Sequence, residues 1–273
     1  MTHTIALPVD WTVEGITMEI IWGGLFIMLT GQFFQDPMNW SANERFNPPI
    51  KEVYVPYGFD DNDLTQVIVE VEFRDTCEEI GRAAIIPHDQ EPNVLMVYVE
   101  AHKRDGFCLQ ILNRQIKVVD VGILPEGNYK IRSYNELSRE FSDLRVRRAK
   151  SSRIDDSTYA PVDSMIIQND PLGLRRMITL SGTFTNTCLN FESITIAKTR
   201  KNLIEVLPVV RIDEGDCKEK DTPFLVHQAI PDFEGEREIK TGRYLFHIRT
   251  MNGGSFNKAD YLMMNPDDRL IPD

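Results

Sequence analysis

From residue 66 onward the chain is written in short runs that alternate apolar and polar positions. Gln66-Val-Ile-Val-Glu-Val-Glu-Phe73 repeats with period two, and Val94-Leu-Met-Val-Tyr-Val-Glu100 and Ile116-Lys-Val-Val-Asp-Val121 do so less cleanly. The same texture returns in Met177-Ile-Thr-Leu-Ser-Gly-Thr-Phe184, Ser193-Ile-Thr-Ile-Ala197 and Leu203-Ile-Glu-Val-Leu207. Period two puts one set of side chains on each face of a strand. The runs are rich in β-branched residues and are punctuated by Gly, Asp, Asn and Pro, which read as turns. Seven or so such strands in about 100 residues is the pattern of a β-sandwich. Helical periodicity is scarce, and Glu136 to Lys150 is the best candidate for one short helix.

The landmarks of this pattern occur twice. Tyr54-Val-Pro56, Phe73-Arg-Asp-Thr76-Cys77, Cys108 and Gly127-Asn-Tyr129 appear in order. Tyr159-Ala-Pro161, Phe184-Thr-Asn-Thr187-Cys188, Cys217 and Gly242-Arg-Tyr244 follow in the same order. A duplicated unit explains the recurrence, with small loop insertions accounting for drift between landmarks. The chain therefore divides into an apolar N-terminal segment (1–44), a first sandwich (45–144), a basic linker (145–157), a second sandwich (158–251) and a C-terminal tail (252–273). The expected fold class is all-β, with two duplicated sandwiches in tandem.

The cysteines fit this division. Cys77 and Cys108 lie in the first unit and Cys188 and Cys217 in the second, at nearly equal separations and without any C-x-x-C. That suggests one bridge per unit and an oxidising compartment. The competing reading is four reduced, buried thiols in a cytosolic protein. Crossed pairing needs Cα atoms of different units within about 7 Å, which independently folded sandwiches rarely provide.

Ile123-Leu-Pro125-Glu-Gly127-Asn-Tyr129 resembles the tyrosine corner of immunoglobulin-like and fibronectin-type sandwiches, and Lys240-Thr-Gly242-Arg-Tyr244 repeats it without the Pro. In that fold the Tyr hydroxyl, here of Tyr129 and Tyr244, bonds back to the backbone just upstream. The resemblance implies an immunoglobulin-like sandwich for each unit and nothing about ligand. The antibody pattern is departed from in two ways: Cys108 precedes Tyr129 instead of following it, and no Trp lies between the cysteines.

The N-terminal segment is of another kind. Ile16 to Phe34 carries one charge, Glu19, around an apolar centre with Ile20, Ile21, Trp22, Leu25, Phe26, Ile27 and Leu29. A spanning helix needs about 20 mostly apolar residues, so the length is borderline. A cleaved signal peptide lacks its basic start and small-residue cleavage site here. The remaining readings are a membrane anchor or membrane-lying helix, and a hydrophobic arm buried against the sandwich or a partner. We expect this segment to dock the protein to a membrane or membrane complex. Arg45 and Lys51, the first basic residues, vote weakly against an extracytoplasmic orientation; the cysteines vote for it.

Composition narrows function mostly by exclusion. The chain has 273 residues, Lys plus Arg 30 against Asp plus Glu 42, and a net charge of −12. A general electrostatic hold on nucleic acid is excluded. Arg145-Val-Arg-Arg-Ala-Lys-Ser-Ser-Arg153 is locally basic and suits an anionic headgroup or a solvated linker balanced by nearby acids. Asp60-Asp61-Asn62-Asp63 suits a Ca²⁺ loop or, more simply, a turn, and it lacks EF-hand spacing. The histidines form no metal-ligand pair, and His247 reads as a satisfied strand residue. No nucleophile elbow, Walker loop or dinucleotide fingerprint occurs.

These features lead to an expectation of a non-enzymatic structural or scaffolding subunit. Cofactor, catalytic residues, metal and small-molecule substrate are all expected to be none. The partner is a larger membrane protein complex, such as a photosynthetic or respiratory assembly, and the location is the periplasm or cell surface. Tyr261-Leu-Met-Met264 is an apolar hook for a neighbour or a strand folded back. The alternative is a secreted or surface adhesion module for glycan or protein, with the loop Glu100-Ala-His-Lys-Arg-Asp-Gly-Phe107 as its candidate site.

Overall fold

The computed structural model describes residues 45–135, 140–169, 176–200, 202–233, 235 and 238–263. The expected docking segment, including Ile20, Ile21, Trp22, Leu25, Phe26, Ile27 and Leu29, lies outside the described residues, as does Met264.

Within them the chain is all-β. The first unit contains β1 (Arg45–Phe46), β2 (Ile50–Tyr54), β3 (Phe59–Asp60), β4 (Thr65–Phe73), β5 (Glu78–Pro87), β6 (Val94–Lys103), β7 (Asn113–Gly122), β8 (Gly127–Ser133) and β9 (Glu140–Arg147). The second contains β10 (Val162–Asn169), β11 (Arg176–Asn186), β12 (Leu189–Arg200), β13 (Leu203–Ile212), β14 (Glu219–Ala229), β15 (Gly242–Thr250) and β16 (Gly254–Leu262). A three-stranded sheet, β2-β4-β7, faces a larger one built on β5-β6-β8-β9, with β1 and β3 added at its margins. The second unit repeats this as β10-β11-β14 facing β12-β13-β15-β16.

Both units share an unusual element, a parallel pair at the centre of the larger sheet. Val94–Val97 of β6 run parallel to Lys130–Ser133 of β8, and Leu203–Val206 of β13 run parallel to Leu245–Ile248 of β15. Immunoglobulin sandwiches are built from antiparallel sheets. The units are β-sandwiches whose strand pairing departs from that pattern, although the tyrosine geometry is present. Tyr129 donates to the Pro125 carbonyl at 2.9 Å and Tyr244 to the Lys240 carbonyl at 3.0 Å.

Each unit has its own core. Val67, Val69, Val71 and Phe73 of β4 meet Leu95, Val97, Val99, Ile131, Leu144 and Val146 in the first. Ile178, Leu180 and Phe184 of β11 meet Ile204, Val206, Phe246, Ile248 and Leu262 in the second. Phe184, Phe191 and Phe224 form an aromatic cluster with centroids 4.6–5.4 Å apart.

Three expectations are corrected. Residues 140–147, read as part of a helix, form β9, because Leu144 and Val146 alternate into the core and tertiary burial outweighs local helix propensity. The linker consequently begins after Arg147. The second sandwich extends beyond residue 251, as in the folded-back reading of the tail: β16 pairs with β15 from Gly254 to Leu262, and Leu262 is buried in the second core. The Tyr-x-Pro landmarks are also not equivalent. Tyr54 ends β2, whereas Tyr159 precedes β10 and bridges to Val209 of β13. Its true counterpart is the Phe46-Asn47 stretch, which enters the first sandwich beside β6.

Candidate functional site: the seam between the units and the stapled loops

In β4 the odd positions fill the first core, yet two of the even ones are buried as well. Ile68 and Glu70 point away from that core and are covered by the second unit, where Leu203 of β13 and Leu245 of β15 close over Ile68 and Tyr54. The outer face of β2-β4-β7 thus stacks on the outer face of β12-β13-β15-β16, giving four layers of sheet. The two sandwiches are not independently packed, as their separate disulfides had suggested.

This seam is apolar in the middle and charged around it. Glu70 is buried between the Tyr54 hydroxyl, 2.8 Å away, and Arg243 Nε at 2.5 Å. Burial first, and Glu70 second, raise the Tyr54 phenol above its ordinary range. Arg249 is 7% exposed and reaches across to the first unit. It donates to the Tyr57 carbonyl at 2.8 Å, pairs with Asp155 at 3.3 Å, lies 3.8 Å from Asp63 and covers the Phe59 ring. Glu205 accepts the Tyr57 N–H at 2.5 Å, and its burial pushes its carboxyl up to about 6. His247, its neighbour across the β13–β15 pair, shares Nδ1 with Asn257 Oδ1 at 2.8 Å, and burial pushes its pKa down to about 4. Buried charges are tolerated when paired and hydrogen-bonded in this way.

The Asp60–Asp63 cluster is the clasp of the connecting segment. Asp61 Oδ1 accepts the Ala149 N–H at 2.8 Å, and the Asn62 amide donates to the carbonyls of Ser151 and Arg153. Asp63 accepts the backbone N–H groups of Asp60 and Asp155. Asp60 lies 3.5 Å from Arg147. Asp155, with a left-handed φ of 66°, also accepts the Gly253 N–H at 3.1 Å. The short polar side chains therefore act as turn formers and backbone partners.

At one edge of the seam, a cleft of about 460 Å³ is lined by Glu52, Val53, Tyr54, Phe141, Ser142, Arg200, Asn202 and Leu203. Arg200 crosses it, donating to Ser142 Oγ and the Asp143 carbonyl and covering the Tyr57 ring.

The two disulfides form within units, Cys77–Cys108 and Cys188–Cys217, with Cα separations of 5.4 and 5.3 Å. Two disulfides point to an oxidising, extracytoplasmic environment. The duplicated F-x-x-T-C motif has a mechanical role here. Asp75 and Asn186, just before the Thr, each accept the N–H of the following Cys. Thr76 brackets Leu109 with its N–H and hydroxyl, and Thr187 brackets Lys218 likewise. Asx and Thr thus hold each crossing loop against its partner loop beside the bridge. The sequence carried the Asp/Asn at matched positions, and that signal was missed.

The loops so held differ in chemistry. The second, Asp213-Glu-Gly-Asp-Cys217, is acidic, whereas the first exposes Phe107, Leu109, Ile111 and Leu112. The adhesion loop expected from the sequence ends at Phe107 and so takes in only the beginning of this patch. Asp75 lies near the Cys77–Cys108 bridge. Bridged sulfurs offer a metal no thiolate, and Lys103 already holds that carboxylate at 3.0 Å. Among the described residues no helix is long and apolar enough to cross a membrane.

Comparison with known proteins adds one likeness. A family model described as the ORF11 beta-sandwich domain matches residues 67–142, from β4 into β9. No curated protein and no solved structure matches the chain. The matched stretch includes the first disulfide, its apolar loop and Tyr129, so this part of the chain is similar to a β-sandwich family through the elements described above.

Proposed function

We propose that the protein is a non-catalytic structural subunit of an extracytoplasmic assembly. Its stacked sandwiches act as one rigid body, docked to a membrane or membrane protein complex through the apolar segment 16–34. The observation that carries this reading is the seam. Tyr54, Glu70, Glu205, Arg243, Arg249 and Asp155 are spent on one another and on backbone, which suits stiffness rather than turnover. A perturbed carboxyl and imidazole side by side would ordinarily suggest acid–base chemistry. Here both are covered by the opposite unit, and a reacting group has no approach to them.

Purification from native membranes without reductant tests the reading. The expected result is retention in a stoichiometric complex that dissociates only when the bilayer is dissolved or the complex disrupted. Recovery of the whole chain as a free monomer in the soluble fraction overturns it.

A further inference from the structure

We infer that the stapled loop 104–112 is a second membrane-contact element that inserts its apolar side chains into the same bilayer as the N-terminal segment. This rests on the membrane reading above and adds a site to it. Phe107 is 89% exposed, Leu112 67%, Ile111 55% and Leu109 51%. Single exposed apolar residues are ordinary, but four on one short loop form a patch.

The patch is held out by construction. Cys108 is bridged to Cys77, Leu109 is bracketed by Thr76, and the Arg104 N–H and guanidinium donate to the Cys77 and Thr76 carbonyls. Those bonds fix the loop's backbone, and on that backbone the four side chains stand exposed. The corresponding loop of the second unit uses the same bridge and the same Thr bracket with Asp213, Glu214 and Asp216 instead. The staple therefore does not require apolar neighbours.

Chain direction points to the occupant. β1 runs antiparallel to β6 with Arg45 opposite His102 and Phe46 opposite Ala101, so the chain before Arg45 leaves the sandwich at the end of β6 that carries the loop. Residues 35–44 link that point to Phe34, and ten residues reach at most about 35 Å. A segment 16–34 seated in a bilayer holds this end of the first sandwich near its surface. A Cβ at Gly106 would meet nothing within 4 Å, so the loop faces open space there, and an apolar phase needs no groove to receive it. Although the whole chain is at −12, Arg74, Lys103 and Arg104 offset Asp75, Glu78, Glu79 and Asp105 in and beside the loop to within one charge, so local repulsion from anionic lipid is small.

A photo-crosslinking amino acid placed at Phe107, and in a control chain at Asp216, tests this in the full-length oxidised protein. The vesicles are phosphatidylcholine and phosphatidylglycerol. Both positions are exposed, so neither label disturbs packing, and thermal melts matching the parent verify it. The expected result is co-flotation of both chains, with lipid adducts about tenfold more abundant from position 107 than from 216. Co-flotation with equal, low lipid adducts overturns the loop's role and leaves the N-terminal anchor standing. Adducts from 107 to residues 16–34 show the loop covered by its own chain and overturn it too. Adducts from 107 to another protein in native membranes, in place of lipid, do the same. Absence of flotation removes the membrane reading itself.

Discussion

Glu205→Gln should stabilise the protein at neutral pH, although it deletes a buried charge beside two arginines. Glu205 is 7% exposed, and desolvation outweighs the help it receives from the Tyr57 N–H, Arg249 and Arg200, so its carboxyl titrates at about 6 rather than 4.5. A raised folded-state value for an acid means the fold binds the proton more tightly. Its contribution is then full below pH 4.5 and falls as pH rises to 6, by about 2 kcal/mol in all. His247 works in the opposite sense. Its value drops from 6.5 to about 4, mainly by desolvation, with Arg249 adding and Asn257 opposing. Its contribution is full above pH 6.5 and is lost as pH falls to 4, by about 3 kcal/mol.

In the parent chain the two slopes largely cancel between pH 4.5 and 6. The amide introduced by Glu205→Gln still accepts the Tyr57 N–H, stays neutral and removes the carboxylate's contribution alone. Urea denaturation at a series of pH values from 4 to 8, taken as variant minus parent, cancels every other titrating group. The difference should be near zero at pH 4 and rise to about 2 kcal/mol in favour of the variant above pH 6. His247→Gln should give the complementary curve, with the variant gaining on the parent as pH falls below 6.5. A Glu205→Gln chain less stable than its parent at pH 7.5 would refute the reasoning. It would show that Arg249 and Arg200 outweigh the burial of the carboxylate.

Other substitutions test other parts of the seam and the cores. Arg249→Met leaves Asp155 and Asp63 buried without their cation and should cost about 3–5 kcal/mol in urea denaturation, with Arg249→Lys recovering only part. Gly182→Ala puts a Cβ 2.0 Å from the Pro161 carbonyl and 2.7 Å from Phe224, and should lower stability by about 1–3 kcal/mol and shift the melting temperature accordingly. Reduction of either bridge should cost about 3–4 kcal/mol, and non-reducing peptide mapping should recover only Cys77–Cys108 and Cys188–Cys217. Truncation after Gly253 removes β16 and uncovers Ile248 and Phe246, so the shortened chain should fail to fold into a protease-resistant form.

What the sequence revealed was whatever depends on neighbours along the chain or on one strand's two faces. Val67, Val69, Val71 and Phe73 announced a strand face, and F-x-x-T-C announced an equivalent corner in each unit. The seam was hidden because Ile68 and Glu70, read alone, are the polar-leaning face of an ordinary half-buried strand. Their burial is decided by Leu245 and Arg243, far along the chain. β9 failed for a related reason. Its charged spacing suits a helix, and only pairing with β8 reveals that Leu144 and Val146 share a face. The Tyr-x-Pro match was a chance likeness between the end of one strand and the start of another. Hydrogen-bond partners separate the two, and sequence does not.

Laying one unit over the other shows how two copies of one fold come to present unlike outer faces. The inner-face positions correspond: Val67 with Ile178, Val69 with Leu180, Phe73 with Phe184, Tyr129 with Tyr244 and Ile131 with Phe246 all lie in the cores. The outer positions have parted. Where the first unit offers Ile68 and Glu70 to the seam, the second has Thr179, bonded to His227 at 2.8 Å, and Ser181. Where the second offers Leu245 and His247, the first has Lys130 and Arg132, the latter paired with Glu91 at 3.0 Å. The contact joins unlike faces, a head-to-tail arrangement that repeats without limit unless its ends are changed. Lysine and arginine on one outward face are such a change; on the other, Thr179 and Ser181 replace the seam pair, beside the exposed Ile166 and Leu225 on the neighbouring strands. These faces do not reproduce the Ile68–Leu245 contact or the Glu70–Arg243 pair, so the seam is specific to the two faces that form it.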